Sequence, residues 1–223
     1  MRRRFDEQLL ELNKEMITMG SLIEQAIESA GEVVVSRDVE AAQVIMRGDQ
    51  EIDRMERDIE AMCLKLLLMQ QPVASDLRLI SSALKMITDM ERIGDQSADI
   101  AEIITMPVEG DIIPFPAQLQ QMARETAKMV RRSVDAYVTR DAQLARDVIM
   151  SDDVVDDLFD EVKNELIRMM NSYAKTGLKA NGMQLLDMLM IAKYFERSAD
   201  HATNIAEWVE YAVTGKYKGD VLQ

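Results

Sequence analysis

One cysteine, one histidine, four prolines and an aromatic content of 4% rule out several kinds of protein for this 223-residue chain. The single Cys63 has no internal disulfide partner, which points to a reducing compartment. Scarce aromatics, with Met, Leu, Ala, Glu, Asp and Arg dominant, favour helices over strands built from Val, Tyr and Thr. Long hydrophobic runs are missing: Leu64 to Met69 and Leu185 to Ala192 are short and interrupted by Lys65 and Asp187, so neither is expected to span a bilayer. Three arginines follow Met1, but Phe5, Asp6, Glu7 and Gln8 stand where a signal peptide needs its apolar stretch. The chain is therefore expected to be cytoplasmic, meeting a membrane only through partners. Positive charge is also in short supply. With 26 basic against 40 acidic residues the net charge is -14, which disfavours nucleic acid and anionic lipid and favours cations or a basic patch on another protein. No Gly-rich phosphate loop and no Ser/His/Asp or Cys/His arrangement is evident, and Cys63, on an apolar stripe, reads as core packing.

What is present is a duplication. The breakers Pro107, Gly110, Pro114 and Pro116 gather between Met106 and Pro116 and cut the chain nearly in half. Glu91-Arg92-Ile93-Gly94-Asp95, with Ile100-Ala101-Glu102, recurs 105 residues later as Glu196-Arg197-Ser198-Ala199-Asp200, with Ile205-Ala206-Glu207. Ser36-Arg37-Asp38 recurs 103 residues later as Thr139-Arg140-Asp141, and Gly48-Asp49 with Asp53 as Ser151-Asp152 with Asp156. Repetition at a nearly constant offset is the mark of an internal repeat. The expected fold is all-α: two homologous three-helix bundles, over residues 1–108 and 109–223. The hydrophobic periodicity places their helices near 5–35, 38–69 and 75–105, then 115–138, 141–173 and 183–213. Gln71-Pro72 separates the second helix from the third in one repeat, and Thr176-Gly177 with Asn181-Gly182 does so in the other. Short connections between long helices make them antiparallel neighbours.

Each third helix carries a row of acids. A helical residue advances about 100°, so Leu77, Leu84 and Ile87 fall within about 60° of Ile80, and so do Glu91, Asp95 and Glu102, with Asp99 on the flank. In the second repeat Leu185, Leu189 and Ala192 lead into Glu196, Asp200 and Glu207. Asp49, Asp53, Glu56 and Glu60 share one face of the second helix, and Asp152 and Asp156 repeat the first pair. Carboxylates that continue a core-facing stripe lose solvation and repel one another, so a cation is expected among them. Candidate ligands are Asp49, Asp53, Glu91, Asp95 and Asp99, then Asp152, Asp156, Glu196 and Asp200. An all-oxygen set suits hard cations such as Mg²⁺, Ca²⁺, Mn²⁺ or iron. The competing reading is that Arg54, Arg57, Arg92, Lys193 and Arg197 neutralise these acids in ordinary ion pairs. A ferritin-like di-iron centre is disfavoured, because the only histidine, His201, has Ser198 where the Glu of Glu-x-x-His would be. The 18 methionines read mainly as core filler, and Gly94 as a place where a neighbouring helix or ligand comes close.

Gln70-Gln71-Pro72-Val73-Ala74-Ser75-Asp76-Leu77-Arg78, followed by Glu91-Arg92-Ile93-Gly94-Asp95, resembles the signature of the PhoU family, and the likeness covers nearly the whole chain from Phe5-Asp6-Glu7-Gln8-Leu9 onward. The resemblance implies a helical, non-enzymatic, homodimeric regulator. It would couple the phosphate ABC transporter, through its ATPase subunit, to a sensor histidine kinase and keep the phosphate-starvation response off when phosphate is plentiful. It also implies metal binding through acidic-x-x-x-Asp pairs, which here match Glu91/Asp95, Asp95/Asp99 and Glu196/Asp200, with Asp49/Asp53 and Asp152/Asp156 opposite. Asn204 stands where the first repeat has Asp99, so a weaker second site is expected. The alternative to the adaptor is a metal store or metal-dependent enzyme using the same carboxylates.

Overall fold

The computed structural model describes residues 2–70, 72, 75–108, 110–176, 182–217 and 220–221. Three long helices make the first repeat: α1 (Arg2–Ser36), α2 (Val39–Gln70) and α3 (Ser75–Thr105). The second repeat contains α4 (Ala117–Thr139), α5 (Ala142–Met150), α6 (Asp152–Thr176) and α7 (Gly182–Thr214). A hairpin of two-residue strands, β1 (Lys216–Tyr217) and β2 (Asp220–Val221), follows α7 and is the one departure from an all-helical chain among the described residues. Stacking of Tyr217 on Trp208, with centroids 4.3 Å apart, and the edge contact of Tyr217 with Tyr211 hold β1 against α7.

The turn that leads into the second helix is built the same way in both repeats. Arg37 and Arg140 adopt the left-handed conformation, at φ 55° and 53°, an uncommon state for residues with a Cβ. Their amides bond back to the ended helix, Arg37 to the Val33 carbonyl at 2.8 Å and Arg140 to the Tyr137 carbonyl at 3.2 Å. The next residue then caps the new helix: Asp38 accepts from the Ala41 amide, and Asp141 from the Gln143 and Leu144 amides.

The repeats differ in the helix that follows. A continuous helix is expected over 141–173, but the chain breaks at Ser151 into α5 and α6. The Ser151 hydroxyl bonds the Asp147 carbonyl and its amide turns to Val148, while Asp152 and Asp153 open the new helix as favourable first-turn acids. Gly48, at the matching place in the first repeat, lies inside an unbroken α2. Leu77 also departs from its expected face: it is 44% exposed, standing in the first turn of α3, whereas Ile80 and Ile87 are buried. The 177–181 connection falls outside the described residues.

Helices α1, α3, α4 and α7 form the centre, α1 packing on α4 and α3 on α7 across the repeat boundary, with α2 and the α5–α6 pair on the flanks. One core runs through both repeats, including Ile27, Met86, Met90, Met129, Ile191 and Phe195. Each such side chain, fully buried, contributes about 1.5–3 kcal/mol. Many methionines are core filler as expected, and Cys63 is buried there too, its thiol pushed up to about 12 by desolvation. The inter-repeat linker is pinned rather than loose. Arg37 donates to the Ile113 carbonyl at 2.7 Å and lies over the Phe115 ring, while Gln184 accepts from the Ile113 amide and donates to the Asp111 carbonyl.

Candidate metal centre

Because α2 and α3 run side by side, the acids on their facing sides meet. Asp49, Asp53 and Asp95 each offer an oxygen, and the three oxygens lie within 4.8 Å of one another. All three residues are partly buried. Asp49 goes deepest: its Oδ1 is buried without a hydrogen-bond partner and rests against the backbone at Gly94, where a Cβ would stand only 2.9 Å away. Desolvation, then the charges of Asp95, Asp53, Glu91 and Asp99, push the Asp49 carboxyl up to about 6. Glu91 and Asp99 are raised as well, by desolvation first, with Arg92 opposing at Glu91 and a Tyr194 hydrogen bond opposing at Asp99. Glu56, further along α2, is raised by desolvation and then Glu60.

Arginines cover part of this charge. Arg92 reaches Asp95 at 2.8 Å and Glu91 at 3.5 Å, Arg57 stands 3.9 Å from Asp53, and Arg54 pairs instead with Glu51. These are exposed cations on flexible stems, so their pairs are weak. An orphaned, desolvated carboxylate oxygen beside two further carboxylates is the arrangement a hard cation satisfies, and an all-oxygen donor set suits it. The first-repeat residues therefore fit a metal.

The second-repeat acids are more open. Asp152, at the start of α6, is pushed up to about 6 by desolvation, Asp200 and Asp156, against a Thr203 hydrogen bond. Asp156 and Asp200 are exposed, and Glu196 is held by the Lys193 ammonium at 2.5 Å. Among the described residues, no three acids here bring oxygens together as Asp49, Asp53 and Asp95 do. The residue matching Lys193 in the first repeat is Thr88, so the second cluster has a lysine at a position where the first has none.

Periodicity along single helices missed the contacts between repeats. Asp89 accepts from Asn204 Nδ2 at 3.0 Å and lies 2.8 Å from His201 Nδ1. Asp99 and Tyr194 share a hydrogen bond from the other direction. Tyr194 is the repeat counterpart of Asp89 and Asn204 of Asp99, so one pseudo-symmetric pair of polar contacts joins α3 to α7. Asn204, unlike a carboxylate in its place, can donate to Asp89. Ser198 donates to Gln96 at 2.7 Å in the same interface. The signal in the sequence is the offset of 105, which makes Asp89 the counterpart of Tyr194 and Asp99 that of Asn204.

The family model for the PhoU domain matches this chain twice, over residues 16–104 and 119–209. A relative from Clostridium acetobutylicum, a phosphate-specific transport system accessory protein PhoU homolog, is 37% identical over 216 residues, covering 96% of each chain. The crystal structure of PhoU from Pseudomonas aeruginosa superposes with a TM-score of 0.88 at 32% identity, over 95% of this chain and 100% of that one. The phosphate transport system regulatory protein PhoU from Streptococcus pneumoniae gives a TM-score of 0.86 at 27% identity, over 98% and 99%. With two such domains in one continuous core, and relatives matched along their whole length, this chain belongs to the PhoU family.

Proposed function

We propose that this chain is a regulatory accessory protein of a phosphate-specific transport system, acting as a cytoplasmic adaptor. It links the transporter's ATPase subunit to a sensor histidine kinase and keeps the phosphate-starvation response off in plenty. The end-to-end match to phosphate transport accessory proteins carries this reading. No helix among the described residues is long and apolar enough to cross a membrane, and in this reading the chain meets the transporter through protein surfaces. The paired repeats give the adaptor two related but unequal acidic faces, suited to two basic partner surfaces. Homodimerisation would double each face.

In this reading Asp49, Asp53, Glu91, Asp95 and Asp99 hold a divalent or iron-type ion between α2 and α3. Asp152, Asp156, Glu196 and Asp200 hold a second ion more weakly, because Lys193 already occupies Glu196. The ion neutralises the carboxylates and ties two helices together. Asp49 and Asp95 set the site's depth, and Arg92 screens its outer edge. The role is binding without turnover: the lone imidazole, His201, is engaged by Asp89.

Deleting the gene and following a phosphate-starvation reporter tests the proposal. Constitutive reporter activity in high phosphate, reversed by the wild-type gene, supports the adaptor. Normal repression and normal phosphate uptake in the deletion strain overturn it.

A further inference from the structure

A second feature sits at the opposite end of α3. Asp95 lies sixteen residues beyond Leu79, about 24 Å along the helix, and around Leu79 the starts of α1 and α3 meet the ends of α4 and α7. They enclose an open cleft of about 590 Å³, a size suited to a small organic molecule. Both repeats contribute to it, and it includes the last residues of the Gln70-to-Arg78 signature, which the metal centre leaves unused.

Two of the residues lining this cleft carry a buried polar atom with no hydrogen-bond partner among the described residues. Tyr137 is only 4% exposed, yet its hydroxyl has no hydrogen-bond partner. Arg78 Nε is also buried without an acceptor, beneath the turn at Gly215, where a Cβ would lie 3.7 Å from the guanidinium carbon. Gly215 has φ +76°, so glycine permits this close turn. Buried donors left unpaired are costly and rare, and they ask for an acceptor. Arg140 lines the same cleft and brings a second guanidinium. In a chain of net charge -14, two arginines and a phenol line one cleft whose formal charges balance, Arg78 and Arg140 against Asp6 and Asp76. Leu79, Val209 and Val213 supply an apolar wall, and Asp6 and Asp76 supply acceptors at the edge.

We propose that this cleft binds a small organic oxyanion. Its phosphoryl or carboxyl group is taken by Arg78, Arg140 and the Tyr137 hydroxyl, its apolar body lies against Leu79, Val209 and Val213, and its hydroxyl or amino donors meet Asp6 and Asp76. Inorganic phosphate, lacking the body, binds more weakly. Because α1 and α3 come from one repeat and α4 and α7 from the other, the ligand bridges the two.

Isothermal titration of the full chain with adenosine monophosphate, phenyl phosphate, benzoate and inorganic phosphate tests this. At least one organic anion binds one per chain and more tightly than inorganic phosphate, and the better of the phosphates and benzoate identifies the head group. Affinity falls about tenfold or more in Arg78→Gln and about tenfold in Tyr137→Phe, and is unchanged in Arg47→Gln, an exposed arginine on α2 outside the cleft. Tyr137→Phe keeps the ring and removes an unpaired hydroxyl, so it remains folded and keeps the test decisive if Arg78→Gln does not fold. Failure of every organic anion to bind at millimolar concentration overturns the proposal. Equal binding by wild type and Tyr137→Phe, or inorganic phosphate binding as tightly as the organic anions, overturns it as well.

Discussion

The Cβ that Gly94 lacks would stand 2.9 Å from Asp49 Oδ1 and 2.9 Å from Ile52 Cδ1. This one position lets α2 approach α3 closely enough to bury a carboxylate oxygen beside the Asp95 backbone turn, and so it sets the depth of the candidate metal centre. In the second repeat the matching residue is Ala199, and among the described residues no three acids there bring their oxygens together as Asp49, Asp53 and Asp95 do.

Gly94→Ala should therefore lower stability despite the better helix propensity of alanine. Overpacking costs about 1–3 kcal/mol and the propensity gain returns about 1 kcal/mol, so a net loss of about 1 kcal/mol is expected. Urea denaturation in chelator measures it, and metal affinity should drop in the same variant. An unchanged or raised midpoint would show that α2 and α3 can separate freely here.

Asp49 and Asp152 give the metal-free fold a definite pH dependence. Each carboxyl is raised from 3.8 to about 6. Folding therefore favours the protonated form, and the stability it brings is complete below pH 3.8 and lost as pH rises through about 6. Asp49→Asn imitates the protonated state. The variant should match wild type near pH 4 and be the more stable of the two at pH 7, with the gap opening between these values, as followed by thermal unfolding in chelator. Saturating Mn²⁺ should remove or reverse the advantage.

Much of the fold could be read from the residues because two signals agreed. The offset of 105 between Glu91-Arg92 and Glu196-Arg197 established the duplication, and the 3.6-residue periodicity placed the helices. The break at Ser151 was hidden because the apolar face continues through Val148, Val155 and Leu158, while the interruption depends on one hydroxyl bonding backward. The terminal hairpin depends on Trp208 and Tyr217 stacking across a turn, which no helical pattern encodes. At the site, the pairing of Asp49/Asp53 with Asp95 was legible because acids in i, i+4 rows share a face. The inequality of the two clusters was only half legible: Asn204 signalled it and Lys193 stood among the possible neutralising cations, but which of the cations actually takes Glu196 required the folded geometry.

The inter-repeat contact should matter to cooperativity. Asp89→Ala leaves His201 and Asn204 without their shared acceptor in a largely buried interface, a cost of about 1–3 kcal/mol. Asp89→Asn should cost less. Denaturation followed separately by Trp208 fluorescence and by far-ultraviolet dichroism should give coincident transitions in wild type, with the Asp89→Ala midpoint lower in both.

The repeated turns provide a matched pair. Asp38→Ala and Asp141→Ala each remove an N-cap acceptor, one serving Ala41 and the other Gln143 and Leu144. Each should cost about 1 kcal/mol. Asp141→Ala should be the more damaging, because α5 is only 9 residues long and has little else to nucleate it.

The central claim is that the acidic faces are ion sites and that the first repeat holds its ion more tightly. Mn²⁺ titration, with elemental analysis, of wild type, of Asp49→Asn/Asp53→Asn/Asp95→Asn and of Asp152→Asn/Asp156→Asn/Asp200→Asn tests it most directly. The predicted result is a tight site in wild type that disappears in the first triple variant and persists in the second. Absence of bound metal in folded wild type, or undiminished binding in the first triple variant, would contradict the account and leave the carboxylate rows as partner-docking surfaces alone.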